Sequence, residues 1–464
     1  MFPYSNDDTI VALSTPPGKG AIAVVRMSGT RARSILNEIF SSPLTEVHDR
    51  KAVTGSVRQR DSQKVIDECV VTYYRSPRSY TGEDIIEISC HGNPIIIDQI
   101  IQQAVNSGAR VAQPGEFTRR AFLNHKMDLS QAEAVAAVIA AKTRAGLACS
   151  LRQLDGSFSR LIVEIQQEII RLASLIEVNL DFNEEDLQVY EKPDILGRTA
   201  ELIAKINKLL HTYDYGRLLK EGVKLLLLGK PNVGKSSLLN ILVEKERAIV
   251  SEMPGTTRDY IEEYTQIEGF PIQIVDTAGI RETLDMIEEI GVKRALKHIE
   301  SSDLILAIFE IHRPLDADDL HLIEYLSHHV QKKVPFLVIL NKMDLGEDPR
   351  TIELLKELNS PILEVSASTG KNIELLKQQI KNRLLTDTGL EDEAVVLTSA
   401  RHKQALDHTR QALKNFRKGV QGGLDEVILA SELRSALDYL GEIIGEVSTE
   451  DLLNHIFSQF CIGK

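Results

Sequence analysis

A glycine-rich stretch that follows an apolar run carries the clearest chemical signal in this sequence. The apolar residues Val223–Leu228 are followed by Gly229-x-x-x-x-Gly234-Lys235-Ser236. Glycines at this spacing let backbone N–H groups approach a triphosphate closely. Lys235 can reach the outer phosphates, and the Ser236 hydroxyl can ligate magnesium. A helix that begins near Lys235 adds its positive end, so the stretch predicts a phosphate-binding loop between a buried strand and a helix.

Two later stretches offer oxygen ligands and amides in the order that a guanine-nucleotide switch requires. The threonines in 255–259 can complete a magnesium shell with a hydroxyl. An apolar strand then ends in Asp276, whose carboxylate would lie on the magnesium side. Gly279 can donate its N–H to the last phosphate. The sequence therefore predicts two switch loops after the phosphate loop.

The next motif can distinguish one base from another. Asn341-Lys342-Met343-Asp344 ends an apolar strand, and Asp344 can accept two N–H donors from the edge of guanine, which adenine does not offer. The wrong base would leave a carboxylate unpaired. A backbone N–H in 366–368 lies where it would reach guanine O6. All these motifs, in order and at domain spacing, predict GTP binding.

The hydrolytic group is less clear from position alone. Ile280 stands where small signalling GTPases carry the glutamine that orients the attacking water. Glu288 or Glu289 could orient water from a distance, or both could lie on a solvated helix face. Asn232 could ligate a monovalent cation with its carboxamide oxygen and so supply positive charge beside the phosphates.

Two patches in the N-terminal part look unusual for scaffolding. Glu87 lies inside an apolar strand, where a carboxylate costs several kcal/mol unless it is paired or faces a ligand. A solvated sheet face is the alternative. Arg119, Arg120 and Lys126 fall within one short span. They are either surface charges or a ligand clamp, and composition favours surface charge.

The elements that must position these residues fall into blocks. Short strands and helices alternate in 1–119, which predicts a small α+β domain. Long amphipathic patterns in 120–220 and 386–464 predict two helical arms of one bundle. The nucleotide motifs lie between the arms, in 221–385. The predicted fold class is therefore multidomain, α/β and α, with a P-loop GTPase domain inserted into a helical domain. Ser130 and Ser448 are expected to cap helices.

Composition limits the functional classes. The 54 basic and 67 acidic residues give a formal net charge of −13, which argues against coating nucleic acid by charge alone without excluding a local basic groove. No apolar run approaches the ~18–20 residues of a membrane span. No secretion signal follows Met1. A cytoplasmic location is expected. The four cysteines lack metal-site spacing and are interpreted as free, buried thiols: Cys69, Cys90, Cys149 and Cys461.

The chain resembles the bacterial MnmE (TrmE) family of tRNA modification GTPases over essentially its full length. The resemblance rests on the following stretches: ALSTPPGKG at 12–20, YTGED at 80–84, HG at 91–92, PGEF at 114–117, RAFLN at 120–124 and CIGK at 461–464. The terminal CIGK behind a GTPase domain is the most specific of them. A ribosome-assembly GTPase switch and a folate enzyme with a regulatory GTPase insert are the alternatives, and both lack this combination.

The resemblance implies a homodimer formed through the N-terminal domain, which would bind 5-formyltetrahydrofolate. Arg26, Glu87, Lys126 and Lys464 match the folate-contacting positions of the family. The resemblance also implies a flavoprotein partner of the MnmG type, which binds FAD and forms a heterotetramer with such chains. The expected substrate is tRNA. The expected product carries an aminomethyl-type (carboxymethylaminomethyl) group on carbon 5 of the wobble uridine, at position 34.

The family likeness further implies potassium-stimulated GTP hydrolysis that is driven by dimerisation of the nucleotide domains. Potassium ligands match Asn232, Ser251, Met253 and Thr256, and magnesium ligands match Ser236 and Thr257. Glu288 matches the residue that positions water, and Cys461 matches a terminal cysteine with a role in modification. Motifs and likeness together predict these GTP contacts: Asn232, Val233, Gly234, Lys235, Ser236, Ser237, Ser251, Thr256, Thr257, Asp276, Thr277, Ala278, Gly279, Asn341, Lys342, Asp344, Ser366 and Ala367.

Overall fold

A computed structural model of the 464-residue chain describes the following residues: 8–45, 48–181, 191–244, 262–267, 269–275, 299, 301–327, 334–384 and 395–464. They divide into two compact units. The first unit comprises Met1–Ala136, Gln153–Gln167 and Leu437–Lys464, and the second comprises Ala137–Arg152 and Glu168–Ala436. Within the described residues, no helix combines the length and the apolar character that crossing a membrane requires.

The first unit is built on a mixed sheet of six strands in the order β3-β4-β5-β2-β1-β6. Its strands are β1 Ile10–Leu13, β2 Gly20–Ser28, β3 Ala52–Arg58, β4 Val65–Tyr74, β5 Ile85–Gly92 and β6 Arg110–Val111. All neighbours are antiparallel except β1 and β6. In the register of β2 and β5, Arg26 lies directly opposite Glu87. The predicted α+β character of this part is confirmed.

Two helices supply the apolar core of this sheet. Helix α1 (Ala32–Ile39) and helix α2 (Pro94–Asn106) pack on it, with Ile35 and Ile100 fully buried. The Asn93 side chain accepts the Ile95 N–H, and proline occupies the first helical position, so the start of α2 is stabilised by its own sequence.

Ion pairs hold helix α3 (Glu116–Leu123) in the first unit. Arg119 pairs with Glu450, and Arg120 pairs with Glu83 at 3.1 Å. Both arginines are buried, at 4% and 6% exposure. The interpretation as surface charge is therefore wrong for these two residues, because the fold covers both guanidinium groups and carboxylates distant in sequence neutralise them.

The helix caps differ from the prediction by one or two residues. Helix α4 (Leu129–Ala140) is capped by Asp128, which exchanges hydrogen bonds of 2.9 and 3.0 Å with Gln131. Ser130 lies inside the helix and is fully buried. In the C-terminal part, Thr449 and not Ser448 caps the last helix by accepting the Leu452 N–H. Asp and Thr are also good capping residues, so in both places a residue close to the predicted serine caps the helix instead.

Eleven further helices lie in the described residues beyond α4. Their bounds are α5 Arg144–Leu154, α6 Ser157–Asp181, α7 Lys192–His211, α8 Tyr213–Glu221, α9 Lys235–Glu244, α10 Ala317–Tyr325, α11 Pro349–Lys356, α12 Ile373–Leu384, α13 Ala400–Gly422, α14 Glu426–Ile444 and α15 Glu450–Ser458. In the second unit α7 packs along α13, where Arg410 donates to Asn207 at 3.1 Å. The two predicted arms thus contact each other through these two helices.

The chain enters and leaves the nucleotide-motif region at one place in the second unit. The Leu397 N–H donates to the Thr212 hydroxyl at 2.9 Å. A Cβ on Gly216 would collide with the Leu397 carbonyl oxygen, so only glycine permits this approach. The segments before and after the region are therefore held side by side.

The second sheet carries the nucleotide motifs. Its strands are β7 Val223–Leu228, β8 Glu262–Ile267, β9 Phe270–Val275, β10 Leu304–Glu310, β11 Phe336–Asn341 and β12 Ile362–Glu364. The order is β12-β11-β10-β7-β9-β8, and all neighbours are parallel except β8 and β9. In such sheets ligands bind beyond the carboxyl ends of the strands, where the strand order reverses. The predicted fold class is confirmed.

Candidate functional site

The loop between β7 and α9 has the geometry of a phosphate cradle. Gly229 and Gly234 have φ angles of 154° and 96°, and Asn232 adopts the left-handed region at 63°. A Cβ on Gly234 would collide with Nδ2 of Asn341. Only glycine therefore allows the 341–344 loop, named here the base-side loop, to approach the phosphate loop so closely.

The ammonium group of Lys235 contacts the backbone of its own loop. Lys235 is 9% exposed, and its Nζ donates to the carbonyl oxygens of Gly229 and Lys230 at 2.5 and 2.8 Å. Both acceptors are uncharged, so a phosphate oxygen would be a stronger partner for the ammonium group. Ser236 and Ser237 lie exposed at the start of α9. A lysine, two hydroxyls and the end of a helix thus meet at one anion-binding point.

Asn341 connects the loops that would hold the two ends of a nucleotide. Its Nδ2 donates to the Val233 carbonyl oxygen at 2.8 Å, and its Oδ1 accepts the Ala367 N–H at 3.0 Å. The side chain is 2% exposed. Asn341 is thus a structural joint, and the phosphate loop, the 341–344 loop and the 366–368 loop form one surface.

Asp344 is the exposed acceptor on that surface. The Ser366 hydroxyl donates to its Oδ1 at 2.6 Å, and this hydrogen bond lowers the pKa of Asp344 below its ordinary value. The Ser366 hydroxyl also accepts the Thr369 N–H at 3.1 Å. Asp344 is thereby ionised and oriented, which is the form that accepts two N–H donors.

The described residues bring together part of the predicted nucleotide site: Asn232, Val233, Gly234, Lys235, Ser236, Ser237, Asn341, Lys342, Asp344, Ser366 and Ala367. Other predicted residues lie outside the described ones: Ser251, Met253, Thr256, Thr257, Asp276, Thr277, Ala278, Gly279, Glu288 and Glu289. Both switch loops and the choice between Glu288 and Glu289 therefore stay predictions.

Sequence reasoning missed Glu310. This residue ends β10, is 8% exposed and forms an ion pair with Lys342 of the base-side loop. The available signal was a single carboxylate at the end of the otherwise apolar run LILAIFE. A buried carboxylate in that position needs a cationic partner.

A second cluster lies in the first unit, around Arg26 and Glu87. The Nη2 and Nε atoms of Arg26 donate to Glu87 Oε1 at 2.7 and 3.0 Å. The Tyr74 hydroxyl lies 3.4 Å from Glu87 Oε2. The carboxylate inside the apolar strand is therefore paired with Arg26. This ion pair compensates for the water that the carboxylate loses, so a solvated sheet face is not needed to explain it.

The C-terminal residues complete this cluster. The Gly463 carbonyl oxygen accepts hydrogen bonds from the Ser14 hydroxyl at 3.1 Å and from Arg26 Nη1 at 3.5 Å. Burial and the positive charge of Arg26 lower the pKa of Lys464, although Glu87 opposes them. Arg26, Glu87 and Lys464 therefore meet at one place. Lys126 is exposed and donates to the Pro77 carbonyl oxygen at 3.0 Å.

The cysteines differ in burial. Cys69 and Cys90 are buried free thiols, and burial raises their pKa values to about 12 and about 11, so they are poor nucleophiles. Cys149 is half-buried and Cys461 is exposed. The expectation of burial is thus wrong for Cys461. The described residues contain no group of three His, Cys, Asp or Glu side chains that could hold a metal ion.

Comparison with known proteins extends over both units. A family model described as the MnmE helical domain matches residues 129–461, and one described as the GTP-binding protein TrmE N-terminus matches residues 9–126. The tRNA modification GTPase MnmE of Aquifex aeolicus (strain VF5) is 42% identical over 458 residues, which cover 98% of this chain and 100% of that protein. A protein of the same name from Moorella thermoacetica (strain ATCC 39073 / JCM 9320) is 42% identical, with 99% and 100% coverage.

Solved structures with similarity include the G domain of the T. maritima FeoB iron transporter. It is 28% identical, covers 35% of this chain and 99% of its own, and has a TM-score of 0.27.

Proposed function

We infer that this chain, which belongs to the MnmE family of tRNA modification GTPases, uses the site at the end of the second sheet to hydrolyse GTP while it modifies tRNA. The observation that carries this inference is the joint at Asn341. It holds the phosphate loop through Val233 and the 366–368 loop through Ala367. A nucleotide that spans these loops would meet Lys235 at its phosphates and Asp344 at its base.

The proposed reaction is the addition of an aminomethyl-type (carboxymethylaminomethyl) group to carbon 5 of the wobble uridine, at position 34. A tetrahydrofolate would supply the one-carbon unit. A flavoprotein of the MnmG type, with FAD, would act together with this chain in a heterotetramer. The net charge of −13 supports this arrangement, because such a chain gains little from the phosphate backbone by charge alone. The partner would then help to hold the tRNA.

The proposed switch uses magnesium at Ser236 and Thr257, with Glu288 positioning water. Potassium would be held by the side chain of Asn232 and by Ser251, Met253 and Thr256, with Met253 acting through its backbone. Asn232 supports this proposal, because its carboxamide is exposed on the phosphate loop. Ile280 adds support, since it has no group that orients water. GTPase rates in potassium and sodium at matched ionic strength test the proposal, and equal rates would contradict it.

The proposed folate site lies at the Arg26 cluster of the first unit and includes Glu87, Lys464 and Lys126. Its guanidinium, carboxylate and ammonium groups would suit a ligand with both donors and carboxylates. Homodimerisation through the N-terminal domain is part of this proposal. Cys461, an exposed thiol beside the cluster, is proposed to take part in modification.

Calorimetry with 5-formyltetrahydrofolate tests the folate site. The wild type should release heat, and Glu87→Gln should weaken binding at least about tenfold, because Arg26 loses its charged partner. The matched control is Glu68→Gln, an exposed glutamate on the neighbouring strand β4. No binding heat from the intact wild-type protein would reject the site.

The domain boundaries are proposed as 1–119 for the N-terminal domain, 120–220 and 386–464 for the helical arms, and 221–385 for the nucleotide domain. The hydrogen bond between Leu397 and Thr212 supports an insertion, because it holds entry and exit together. A separately expressed 221–385 fragment should fold and bind GDP. An unfolded fragment would contradict the boundary.

Nucleoside mass spectrometry on tRNA tests the proposed function as a whole. Cells that lack the gene should lose the modified wobble uridine, and the wild-type gene should restore it. Asp276→Ala, which removes the proposed magnesium-side carboxylate, should not restore it. Unchanged tRNA in the deletion strain would refute the substrate that we propose.

A further inference from the structure

A continuous chain of ion pairs runs from the base-side loop to the phosphate loop in the second unit. Its six members, named here the ion-pair chain, are Lys342, Glu310, Arg313, Asp316, Asp319 and Lys230. Three are basic and three are acidic, so the chain is neutral as a whole. It begins beside the proposed guanine contacts and ends on the second residue of the phosphate loop.

Glu310 holds the base-side end. One carboxylate oxygen pairs with Lys342 Nζ, and the other pairs with Arg313 Nε. Burial raises the pKa of Glu310, but the hydrogen bonds from these two cations outweigh burial and lower it, so the carboxylate is ionised. Lys342 has a φ angle of 66°, a conformation that is strained for a residue with a side chain. An anchored side chain helps to keep this turn, which places Asp344.

Arg313 also pairs with two aspartates at the start of helix α10. Its Nη1 lies 3.3 Å from Asp316, and its Nη2 lies 3.7 Å from Asp319. The two aspartates form a reciprocal cap, in which each backbone N–H donates to the other carboxylate at 3.2 and 3.3 Å. The carboxylates are therefore held in place by the helix start as well as by Arg313.

Lys230 closes the chain at the phosphate loop. Its Nζ donates to Asp319 at 2.7 Å and also pairs with Asp316. The Lys230 side chain is only 11% exposed, and its two carboxylate partners compensate its charge. The two lysines of the loop thus have different partners: Lys230 pairs with two carboxylates of the ion-pair chain, and Lys235 donates to the carbonyl oxygens of Gly229 and Lys230 within the loop.

We propose that Glu310 is a positioning residue for guanine-nucleotide binding, which fixes Lys342 directly and the phosphate loop indirectly through Arg313 and the two aspartates. The base-side and phosphate-side contacts are then energetically coupled. This inference rests on the proposed nucleotide site. It names Glu310 as the residue that fixes the base-side loop relative to the phosphate loop.

The dissociation of a fluorescent GDP analogue, followed by stopped flow, tests the role of Glu310. Glu310→Gln keeps the shape and removes the charge, and should speed dissociation about tenfold. Turnover at saturating GTP should change by less than about twofold, because Glu310 is not placed at the reacting phosphate. Glu310→Asp should recover part of the affinity. Glu353→Gln, an exposed glutamate on α11, is the matched control and should behave as the wild type.

A double-mutant cycle tests the coupling. Lys230→Met should also weaken GDP binding, and the double variant Lys230→Met/Glu310→Gln should be weaker by clearly less than the product of the two single effects. Multiplication of the single effects within about twofold would overturn the coupling. An unchanged dissociation rate in Glu310→Gln would overturn the positioning role.

The possible outcomes distinguish failure of this inference from failure of the proposed nucleotide site on which it rests. Failure of the wild type to bind GDP would reject the proposed nucleotide site itself. Normal binding by the wild type, with Glu310→Gln and Lys230→Met both unchanged, would reject only the inference. Melting temperatures without nucleotide identify a variant that fails to fold, and in that event Glu310→Asp and Lys230→Met decide the result.

Discussion

Asp344 shows how a single hydrogen bond can prepare a base-recognition residue. The Ser366 hydroxyl lies 2.6 Å from its carboxylate and lowers the pKa of Asp344. A carboxylate has only acceptor sites, and the edge of guanine offers two donors, N1–H and the exocyclic amine. The pairing is therefore specific for a base with both donors, provided that the carboxylate stays ionised and oriented.

Asp344→Asn should change the base preference of the site from guanine to xanthine. The asparagine amide offers one acceptor and one donor, which matches xanthine, where a carbonyl oxygen replaces the amine of guanine. We expect the affinity for GTP to fall about 100-fold or more and the affinity for XTP to rise by a similar factor. Glu347→Gln, an exposed acid in the same loop, should change neither affinity. An Asp344→Asn variant that still prefers GTP would exclude Asp344 as the base contact.

Base selectivity should be insensitive to mild acid. The pKa of Asp344 is lowered, so the accepting form persists as the pH falls and is lost only below its ordinary value of about 3.9. The ratio of GTP to ITP affinity, in which phosphate protonation cancels, should stay constant from about pH 7.5 to about pH 5.5. A carboxyl titration by NMR should show the pKa rising in Ser366→Ala. A ratio that falls already at pH 5.5 would contradict this picture.

At the scale of elements, the phosphate loop was predictable because its chemistry is local. A buried strand, spaced glycines and a helix follow one another along the chain, and the structure has β7, the loop and α9 in that order. The base-side loop was predictable for the same reason, since it ends β11. The contact between the two loops was not, because it depends on the Asn341 side chain reaching a carbonyl 108 residues away.

The wrong and missing predictions at this scale have one cause: the residues concerned have partners that are distant in the sequence. Arg119 and Arg120 were expected at the surface, and their burial depends on carboxylates such as Glu450, 331 residues away from Arg119. The weak apolar alternation of AVTGSVR does not by itself predict strand β3, which gains its place by pairing with β4. Glu310 was missed for the same reason, because only the folded chain brings Lys342 to it.

Gly234→Ala tests the approach of the two loops. The added Cβ would meet Asn341 Nδ2, so either the joint or the phosphate loop must move. Nucleotide affinity should fall at least about tenfold, which corresponds to the ~1–3 kcal/mol of an overpacked contact. Gly197→Ala in α7, where a Cβ meets nothing within 4 Å, should leave affinity unchanged and stabilise the helix slightly. Normal GDP binding by Gly234→Ala would show that the approach is dispensable.

At the scale of the whole molecule, the end of the chain is part of the first unit. Ile462 bridges to Pro114, and the Gly463 carbonyl accepts from Ser14 and Arg26. A Cβ on Gly463 would collide with the Leu13 carbonyl oxygen. The last residues are thus fitted to the end of β1 and to Arg26, so they adjoin the proposed site at the Arg26 cluster.

Gly463→Ala should displace this tail. The lost contacts with Ser14 and Arg26 should lower the melting temperature of the first unit by a few degrees, about 2–4 °C per kcal/mol. 5-Formyltetrahydrofolate binding should weaken, while GDP affinity in the second unit stays the same. Gly422→Ala, where a Cβ has open space, is the control. Unchanged melting and unchanged folate binding would contradict the role of the tail.

We expect turnover of a guanine nucleotide whose base is held by Asp344 to drive tRNA modification, and a nucleotide exchange in a nucleotide-depleted extract of the deletion strain measures this dependence. Purified wild-type protein with GTP should restore the modified wobble uridine, measured by nucleoside mass spectrometry. Asp344→Asn should restore it with XTP and not with GTP. Modification that Asp344→Asn restores equally without XTP would show that the nucleotide site and the tRNA chemistry are not connected in this way.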